Sequence, residues 1–416
     1  MAPVCRERAS LAPVPLADHS RLRSAALAAL GSLAVLLAHA PGASALGRER
    51  LVAKTAAAME KAGPRSGALI RDLTTGEVLF ELRAASDRIP ASVEKLYTTA
   101  AALRRIGPGS RLNTDVVTSG LPDAEGRLEG DLVIRGGGDP TLGASDIATL
   151  AGRVSSSGIT SVAGSVVGDE SRFDTRRGAT GWGYSPWLGG SIGALAVSRG
   201  WGDGGPGISA ARSFARALRA RGVRVSGRTR TGTAPEGARR LARVSSPTIA
   251  ELSRLINAPS DNFMAEVLLK ELGARFGAAG TTRAGARVAI GVAAGFGARP
   301  RIADGSGLSR SNATSPREVM ALITGMRRTP EGRAFERSLA IAGQTGTLAS
   351  RMRGTRAAGN CRAKTGTLSD VSTLAGLCRS ASGHTIAFAL LMNSVSPARG
   401  RVLQDSIARS LARYDG

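Results

Sequence analysis

Residues 90–103 read PASVEKLYTTAAAL, the stretch from which the rest of the chain is interpreted. Apolar residues recur at helical spacing after Pro90, and glycines at 107 and 109 end the pattern, so the sequence predicts one helix here. Ser92 and Lys95 are three residues apart, which places both side chains on one face of that helix. Ser92 would lie at the helix N-terminus, where free backbone N–H groups and the helix dipole favour developing negative charge. The two residues are therefore a candidate nucleophile and base.

The scarcity of histidine limits which residue could act as the base. His19 and His39 lie within the first 45 residues, and His384 falls in a predicted hairpin turn, where we expect a surface residue. A zinc hydrolase of the HExxH type needs paired histidines and is excluded, and a Ser-His-Asp triad would have to place His384 near its serine. Lysine can act as a base when burial lowers its pKa, whereas arginine stays protonated. Lys95 is one of only five lysines among 56 basic residues.

Two further motifs follow Ser92 and Lys95 along the chain. Residues 260–262 spell SDN between two predicted helices, and residues 364–367 spell KTGT in a predicted strand. S-x-x-K alone also occurs in ordinary amphipathic helices, but the ordered set S-x-x-K, S-D-N and K-T-G is the signature of penicillin-binding proteins and serine β-lactamases. The sequence TGTL occurs a second time at 345–348, after Gln344 instead of a lysine, and we expect that copy to form a loop beside the site.

A resemblance to a known family extends beyond these motifs. The segments RIPASVEKLYTTAAAL, GDLVIRGGGDPTL, DGSGLSRSN and RMRGTRAAGNCRAKTGTL resemble the low-molecular-mass class C penicillin-binding proteins, which are D-alanyl-D-alanine carboxypeptidases and endopeptidases of the DacB type. The resemblance covers nearly all of the chain after residue 45. It implies an α+β fold of the penicillin-binding-protein and serine β-lactamase type, an antiparallel sheet with helices on both sides, carrying an inserted α/β module. It implies no cofactor and no metal.

The resemblance also implies a reaction, acyl transfer on peptidoglycan stem peptides. Ser92 would attack the carbonyl of the penultimate D-alanine, and Lys95 would take its proton as general base. Ser260 would pass a proton toward the leaving D-alanine, with Lys364 tuning it electrostatically. Asn262 would hold the substrate amide and help to hold Lys95.

The KTGT strand would bind the substrate in the same family. Thr365, Gly366 and Thr367 are expected to line it, with Thr367 as the hydroxyl for the terminal carboxylate. The backbone N–H groups of Ser92 and Thr367 would form the oxyanion hole. Penicillins would acylate the serine covalently and act as inhibitors.

Other polar residues near the motifs receive structural interpretations. Glu94 is two residues from the serine and faces another side of the predicted helix, so we interpret it as solvated or structural. We interpret Tyr97 as a packing residue and Asp261 as a turn former between helices. Asp304 and Ser306, in DGSGLS, are expected to shape a loop near the site.

Two other functions are compatible with the same fold. Class A β-lactamases place an E-x-x-L-N pattern between S-D-N and K-T-G to activate the deacylating water, and no such pattern occurs between Asn262 and Lys364. We therefore expect slow turnover of an acyl-enzyme instead of fast β-lactam hydrolysis. A non-catalytic cell-wall scaffold would not need all five catalytic residues of the family, and this chain keeps them.

The first 45 residues predict export to the periplasm or cell envelope. Arg21 and Arg23 precede the apolar run SAALAALGSLAVLLAHA, and ASA at 43–45 matches a signal-peptidase site, although an uncleaved anchor helix is the alternative. No other stretch is long and apolar enough for a transmembrane segment. The net charge is +24, but the arginines are scattered and aromatic residues make up 3%, so we expect no nucleic-acid binding.

The order of elements predicts two domains. Residues 46–111 and 246–416 would together form the catalytic domain, and the glycine-rich strands and helices of 112–245 would form the inserted domain. The interval from Ser92 to Ser260 is shorter than in family members with two nested inserts, so we expect the second nested domain to be missing.

The two cysteines outside the leader lie on either side of the KTGT motif. Cys361 lies eight residues before residue 369, and Cys378 lies eight residues after residue 370. A hairpin that turns at these two residues would place the cysteines opposite each other, close enough for a disulfide. Export to an oxidising compartment favours the bond. Two buried free thiols are the alternative.

Overall fold

A computed structural model describes residues 45–179, 182 and 185–416. Its helices are α1 (Arg48–Lys61), α2 (Lys95–Arg105), α3 (Ala144–Ser156), α4 (Pro206–Arg219), α5 (Ile249–Asn257), α6 (Asn262–Phe276), α7 (Thr282–Ala294), α8 (Pro316–Arg327), α9 (Gly332–Ser338) and α10 (Pro397–Arg413). Its strands are β1 (Ser66–Asp72), β2 (Val78–Leu82), β3 (Asn113–Thr118), β4 (Arg127–Leu128), β5 (Leu132–Arg135), β6 (Ser161–Val162), β7 (Val166–Asp169), β8 (Arg224–Val225), β9 (Thr229–Thr231), β10 (Arg239–Ser245), β11 (Ala340–Ile341), β12 (Cys361–Leu368), β13 (Val371–Arg379) and β14 (Thr385–Asn393).

The main sheet is antiparallel and has the strand order β11-β12-β13-β14-β1-β2. Its side chains alternate between two cores, as the period of a strand requires. On β14, Phe388 and Leu390 pack with α1 and α10, whereas Ala389 and Leu391 pack with α2 and α5 to α9. The expected fold class, an antiparallel sheet between two helical layers, is confirmed.

A second sheet draws all its strands from residues 113–245, in the order β10-β3-β5-β7-β9. β5, β7 and β9 run parallel, and α3 and α4 supply the buried residues that cover them. This region is the α/β module that the sequence predicts. The boundaries between separate domains and the absence of a second nested insert stay predictions, since the described residues from 45 onward belong to one compact unit.

The sequence did not predict α1, α7, α9 or β10. In α7, glycines at 285 and 291 obscure the helical pattern, because glycine is a poor helix former. Gly285 is needed for another reason: a Cβ there would lie 1.9 Å from the carbonyl oxygen of Leu269, so glycine lets α7 pack directly on α6.

The predicted export signal, residues 1–45, lies outside the described residues apart from Ala45. Within the described part of the chain, none of the helices combines the length and the apolar character needed to cross a bilayer.

The hairpin formed by β12 and β13 has the predicted register. Leu368 pairs with Val371 across the turn, and Cys361 pairs with Cys378 at the far end. The two sulfur atoms are bonded, so the predicted disulfide is confirmed. The bridge joins the strand that carries KTGT to its neighbour.

We expect this disulfide to stabilise the fold by constraining the unfolded chain. Replacing both Cys361 and Cys378 with alanine should lower the free energy of unfolding by about 2–4 kcal/mol, measured by urea denaturation. Alkylation of unreduced wild-type protein serves as the control. Two reactive thiols in that control, or an unchanged unfolding midpoint in the variant, would contradict the prediction.

Candidate active site

Ser92 lies in a tight turn between β2 and α2, not in the α-helix itself. Residues Ala91–Glu94 form a 3₁₀ turn, and α2 begins at Lys95. The side chains of Ser92 and Lys95 still meet, as predicted, because residues three apart also align in a 3₁₀ turn. Lys95 Nζ donates to Ser92 Oγ over 2.9 Å.

Lys95 is fully buried and makes three hydrogen bonds. Besides Ser92 Oγ, its Nζ donates to Asn262 Oδ1 at 2.6 Å and to the backbone carbonyl of Ser306 at 2.5 Å. Burial lowers the pKa of Lys95 to about 8, although the negative charges of Asp304 and Glu266 oppose the shift. A substantial fraction of this amine is therefore neutral near pH 8.

Lys364 lies across the site beside Ser260. Its Nζ donates to Ser260 Oγ at 2.8 Å and to the carbonyl of Thr365 at 2.8 Å. Burial, reinforced by the charge of Lys95, lowers the pKa of Lys364 well below its usual value. Ser260 has a φ of 68°, a left-handed conformation that is rare for serine and that places its hydroxyl at the start of α6.

Asn262 is the first residue of α6, and its position is fixed on both sides. Asp261 caps the helix by accepting from the N–H of Met264 at 2.8 Å and pairs with Arg199. The structure thus gives Asp261 the turn-forming role that we predicted. Asn262 Nδ2 donates to the carbonyl of Trp187 at 2.7 Å, and Trp187 is exposed at the surface.

β12 brings KTGT against the serine turn. A Cβ on Gly366 would lie 2.2 Å from Thr373 Oγ1 and 2.9 Å from the backbone nitrogen of Ser92, so only glycine allows this approach. In the described part of the chain, β11 pairs with β12 only at Arg362 and Ala363. Beyond that point, the KTGT segment is an open sheet edge along which an extended peptide could add.

The first TGTL copy contributes a hydroxyl that the sequence did not assign to the site. It forms a loop beside β12, as expected, and Thr365 Oγ1 is 2.8 Å from Thr347 Oγ1. The N–H of Thr347 also donates to the carbonyl of Ala258, just before SDN. The repetition of TGTL was the only sign of this role in the sequence.

Of the two interpretations of Glu94, solvated or structural, the structure contradicts the first. Its side chain is fully buried, and neither carboxyl oxygen has a hydrogen-bond partner among the described residues. Burial raises its pKa well above the usual value, and the charges of Asp304 and Glu266 add to the shift. The sequence showed the helical face but not the loop and helix that cover it. Glu94 is consequently harder to ionise than a glutamate in water.

Several other polar residues that the sequence singled out lie outside the two lysine pairs. Tyr97 is buried, with its hydroxyl 2.7 Å from Thr314 Oγ1, as expected for a packing residue. Asp304 and Ser306 do shape a loop that reaches Lys95. His384 lies in the turn after β13, where Nδ1 is 2.6 Å from Asp72 Oδ2. The described residues include no cluster of three or more His, Cys, Asp or Glu that could hold a metal.

The antiparallel sheet between helical layers, with serine and lysine side chains gathered at its edge, defines the class of serine enzymes to which penicillin-binding proteins belong. The family model of the D-Ala-D-Ala carboxypeptidase 3 (S13) family matches residues 49–187 and 204–414. The chain therefore belongs to the S13 family.

Individual relatives agree with this assignment. The chain is 30% identical to a D-alanyl-D-alanine carboxypeptidase of Actinomadura sp. (strain R39), over 85% of this chain and 82% of the relative. Penicillin binding protein 4 (dacB) from Haemophilus influenzae has a similar fold, with a TM-score of 0.76 and 20% identity over 85% of this chain and 97% of that one. A penicillin G-acylated predatory endopeptidase from Bdellovibrio bacteriovorus also shares the fold, with a TM-score of 0.55 and 18% identity over 82% and 90% of the two chains.

The close approach of β12 to the serine turn predicts the effect of a single methyl group. Gly366→Ala should lower the free energy of unfolding by about 1–3 kcal/mol, because the added Cβ forces the strand and the turn apart. Gly291→Ala is the matched control, because Gly291 lies in α7 with nothing within 4 Å of a new Cβ. This substitution should raise the free energy of unfolding by about 0.5–1 kcal/mol. Equal urea midpoints for the two variants would contradict the prediction.

Proposed function

We propose that this chain is a serine-type D-Ala-D-Ala carboxypeptidase and endopeptidase that cleaves peptidoglycan stem peptides through an acyl-enzyme on Ser92. The observation that carries the proposal is the position of Lys95 Nζ, within hydrogen-bond distance of both Ser92 Oγ and Asn262 Oδ1 in a buried site. Membership of the S13 family supports the same activity.

Acylation begins with proton transfer from Ser92 to the neutral amine of Lys95. The Ser92 oxygen attacks the carbonyl carbon of the penultimate D-alanine and forms a tetrahedral oxyanion. Backbone N–H groups of Ser92 and Thr367 stabilise that oxyanion, at about 3 kcal/mol for each donor. The bond to the terminal D-alanine then breaks, and the acyl group stays on Ser92.

The leaving D-alanine needs a proton on its nitrogen. Ser260 Oγ passes on the proton that Lys95 took from Ser92 and keeps its own hydroxyl in the balance, and Lys364, which donates to that oxygen, assists the transfer. Lys364 offers a compact amine in a fully buried position, where a forked guanidinium does not fit the same contacts. Water later attacks the acyl-enzyme and releases the shortened peptide.

The open edge at β12 binds the substrate as an added strand. Thr365 and Thr367 offer hydroxyls for the terminal carboxylate, and Gly366 keeps the strand close to the nucleophile. A cross-linked peptide would enter along the same edge, which allows endopeptidase activity.

Penicillins acylate Ser92 in this proposal, and the resulting ester turns over slowly. The penicillin G-acylated relative with this fold supports the first statement. The missing E-x-x-L-N glutamate supports the second and disfavours a β-lactamase. Export to the periplasm or cell envelope, where the stem peptides are found, agrees with the disulfide and the leader.

Labelling with a fluorescent penicillin tests the proposal. We expect a persistent covalent label on the wild-type protein and none on Ser92→Ala, together with release of D-alanine from a D-Ala-D-Ala peptide by the wild type alone. Rapid hydrolysis of a chromogenic cephalosporin would instead favour a β-lactamase. A wild-type protein that takes no label would refute both enzymes and favour the scaffold.

The two TGTL copies provide a test of Lys364. Lys364→Arg should keep the melting temperature within a few degrees and slow penicillin acylation by about 100-fold, because the guanidinium cannot reproduce the bond to Ser260. Gln344→Lys, which creates KTGT in the first copy, should leave the rate unchanged. A Lys364→Arg variant that acylates at the wild-type rate would remove Lys364 from the mechanism.

A further inference from the structure

Two buried carboxyl groups lie beneath Lys95 without a part in the reaction described above. Glu266 is on α6, one turn after Asn262, and Asp304 begins the loop DGSGLS. Both side chains are fully buried. Buried acids are costly unless they are bonded, so their position requires an explanation.

The hydrogen bonds of Lys95 show what the site needs from this region. An ammonium has three N–H donors, and Lys95 directs them to Ser92 Oγ, Asn262 Oδ1 and the carbonyl of Ser306. The neutral amine has two donors and one lone pair. Because the two carbonyl oxygens can only accept, they retain the two N–H groups, and the lone pair is directed at Ser92 Oγ.

The Ser306 carbonyl is held in place by the two acids. Glu266 Oε1 accepts from the N–H groups of Gly305 at 3.0 Å and Ser306 at 2.8 Å. Asp304 Oδ1 accepts at 2.8 Å from the N–H of Gly307, which belongs to the same peptide group as the Ser306 carbonyl. The orientation of that carbonyl therefore depends on bonds made by both carboxyls.

Helix α6 thus reaches Lys95 twice. Asn262 accepts from Lys95 directly, and Glu266 acts through the loop. The second oxygen of Glu266, Oε2, is buried without a hydrogen-bond partner among the described residues. A side chain needed only to tie down the loop would not have to be an acid with one oxygen unused.

We propose that Glu266 is a positioning residue for Lys95: its carboxyl holds the loop whose Ser306 carbonyl accepts from Lys95 Nζ, and its charge acts on the same amine. The proposal rests on the proposed function for its catalytic meaning. Its two parts, hydrogen bonding and charge, can be separated by substitution.

The negative charge of the Glu266 carboxylate opposes the loss of a proton from Lys95. Burial raises the pKa of Glu266 to about 8, while burial lowers the pKa of Lys95 to about 8. As the pH rises through this range, the Glu266 carboxylate that forms stabilises the Lys95 ammonium and delays its loss of a proton. Removing that carboxyl should move the appearance of the neutral base to lower pH. The charged and titratable groups that face this pair are Glu94, Asp261, Lys270, Asp304 and Lys364.

Two substitutions at Glu266 separate the parts of the proposal. Glu266→Gln keeps an oxygen that can accept from the loop but removes the charge, whereas Glu266→Ala removes both. Glu271→Gln is the matched control, since Glu271 is also a buried acid of α6 but pairs with Arg172 and Arg275. The rate of acylation by a fluorescent penicillin is measured from about pH 6 to pH 10 for each variant.

In the wild type, the rate should rise with pH to a plateau, with a midpoint near the pKa of Lys95, about 8. Glu266→Gln should reach a similar plateau with its midpoint about 1 pH unit lower. Glu266→Ala should acylate at least about 10-fold more slowly at the plateau, because the carbonyl is no longer held. Glu271→Gln should keep the wild-type midpoint.

A second measurement is independent of activity. The chain has only five lysines, so labelling with [13C]lysine gives few ε-methylene signals, and a Lys95→Arg variant assigns the one from Lys95. Its titration should also move to lower pH in Glu266→Gln.

The possible outcomes distinguish a failure of the Glu266 proposal from a failure of the proposed function. An unchanged midpoint and an unchanged Lys95 titration in Glu266→Gln would overturn the proposal, as would an alanine plateau equal to that of glutamine. If the alanine variant does not fold, the glutamine titration decides alone. A wild-type protein that takes no penicillin label would refute the proposed function, while the NMR titration would still test the coupling of Glu266 to Lys95.

Discussion

The contact between β12 and the turn that carries Ser92 is the constraint on which the rest of the structure depends. Gly366 leaves room for it, and Thr373 Oγ1 donates to the carbonyl of Pro90 at 2.7 Å, so two adjacent strands hold the turn. Because the turn is fixed to the sheet, Ser92 lies beside the KTGT strand. The disulfide between Cys361 and Cys378 links those same two strands at their far end.

The second constraint on the fold is electrostatic, because two lysine amines are buried in the site. Lys95 and Lys364 are both fully buried, and a buried ammonium without partners would destabilise the protein by several kcal/mol. Hydroxyl and carbonyl oxygens from α6, β12 and the Asp304 loop satisfy both amines. Burial still lowers the pKa values of both amines, and for Lys95 this shift is what the proposed role as a base requires. The same low-polarity surroundings raise the pKa of Glu94.

Much of this could be predicted from the sequence because it is local. The spacing of Ser92 and Lys95 placed them on one face, and the symmetry of Cys361 and Cys378 about the predicted turn indicated their pairing. Two features were not predicted. Glycines obscured α7, and the spacing of Glu94 left it either solvated or structural, because its burial depends on elements far away along the chain.

The sequence by itself determined the class of fold, the three motifs and their order, and the lysine that we propose as the base. Only the tertiary structure decided what surrounds Lys95. Its partners Asn262 and Ser306 are 167 and 211 residues away along the chain, and Glu266 acts through a loop that no periodicity indicates. Such contacts depend on how helices and loops pack against each other, and short-range patterns in a single sequence carry no record of that packing.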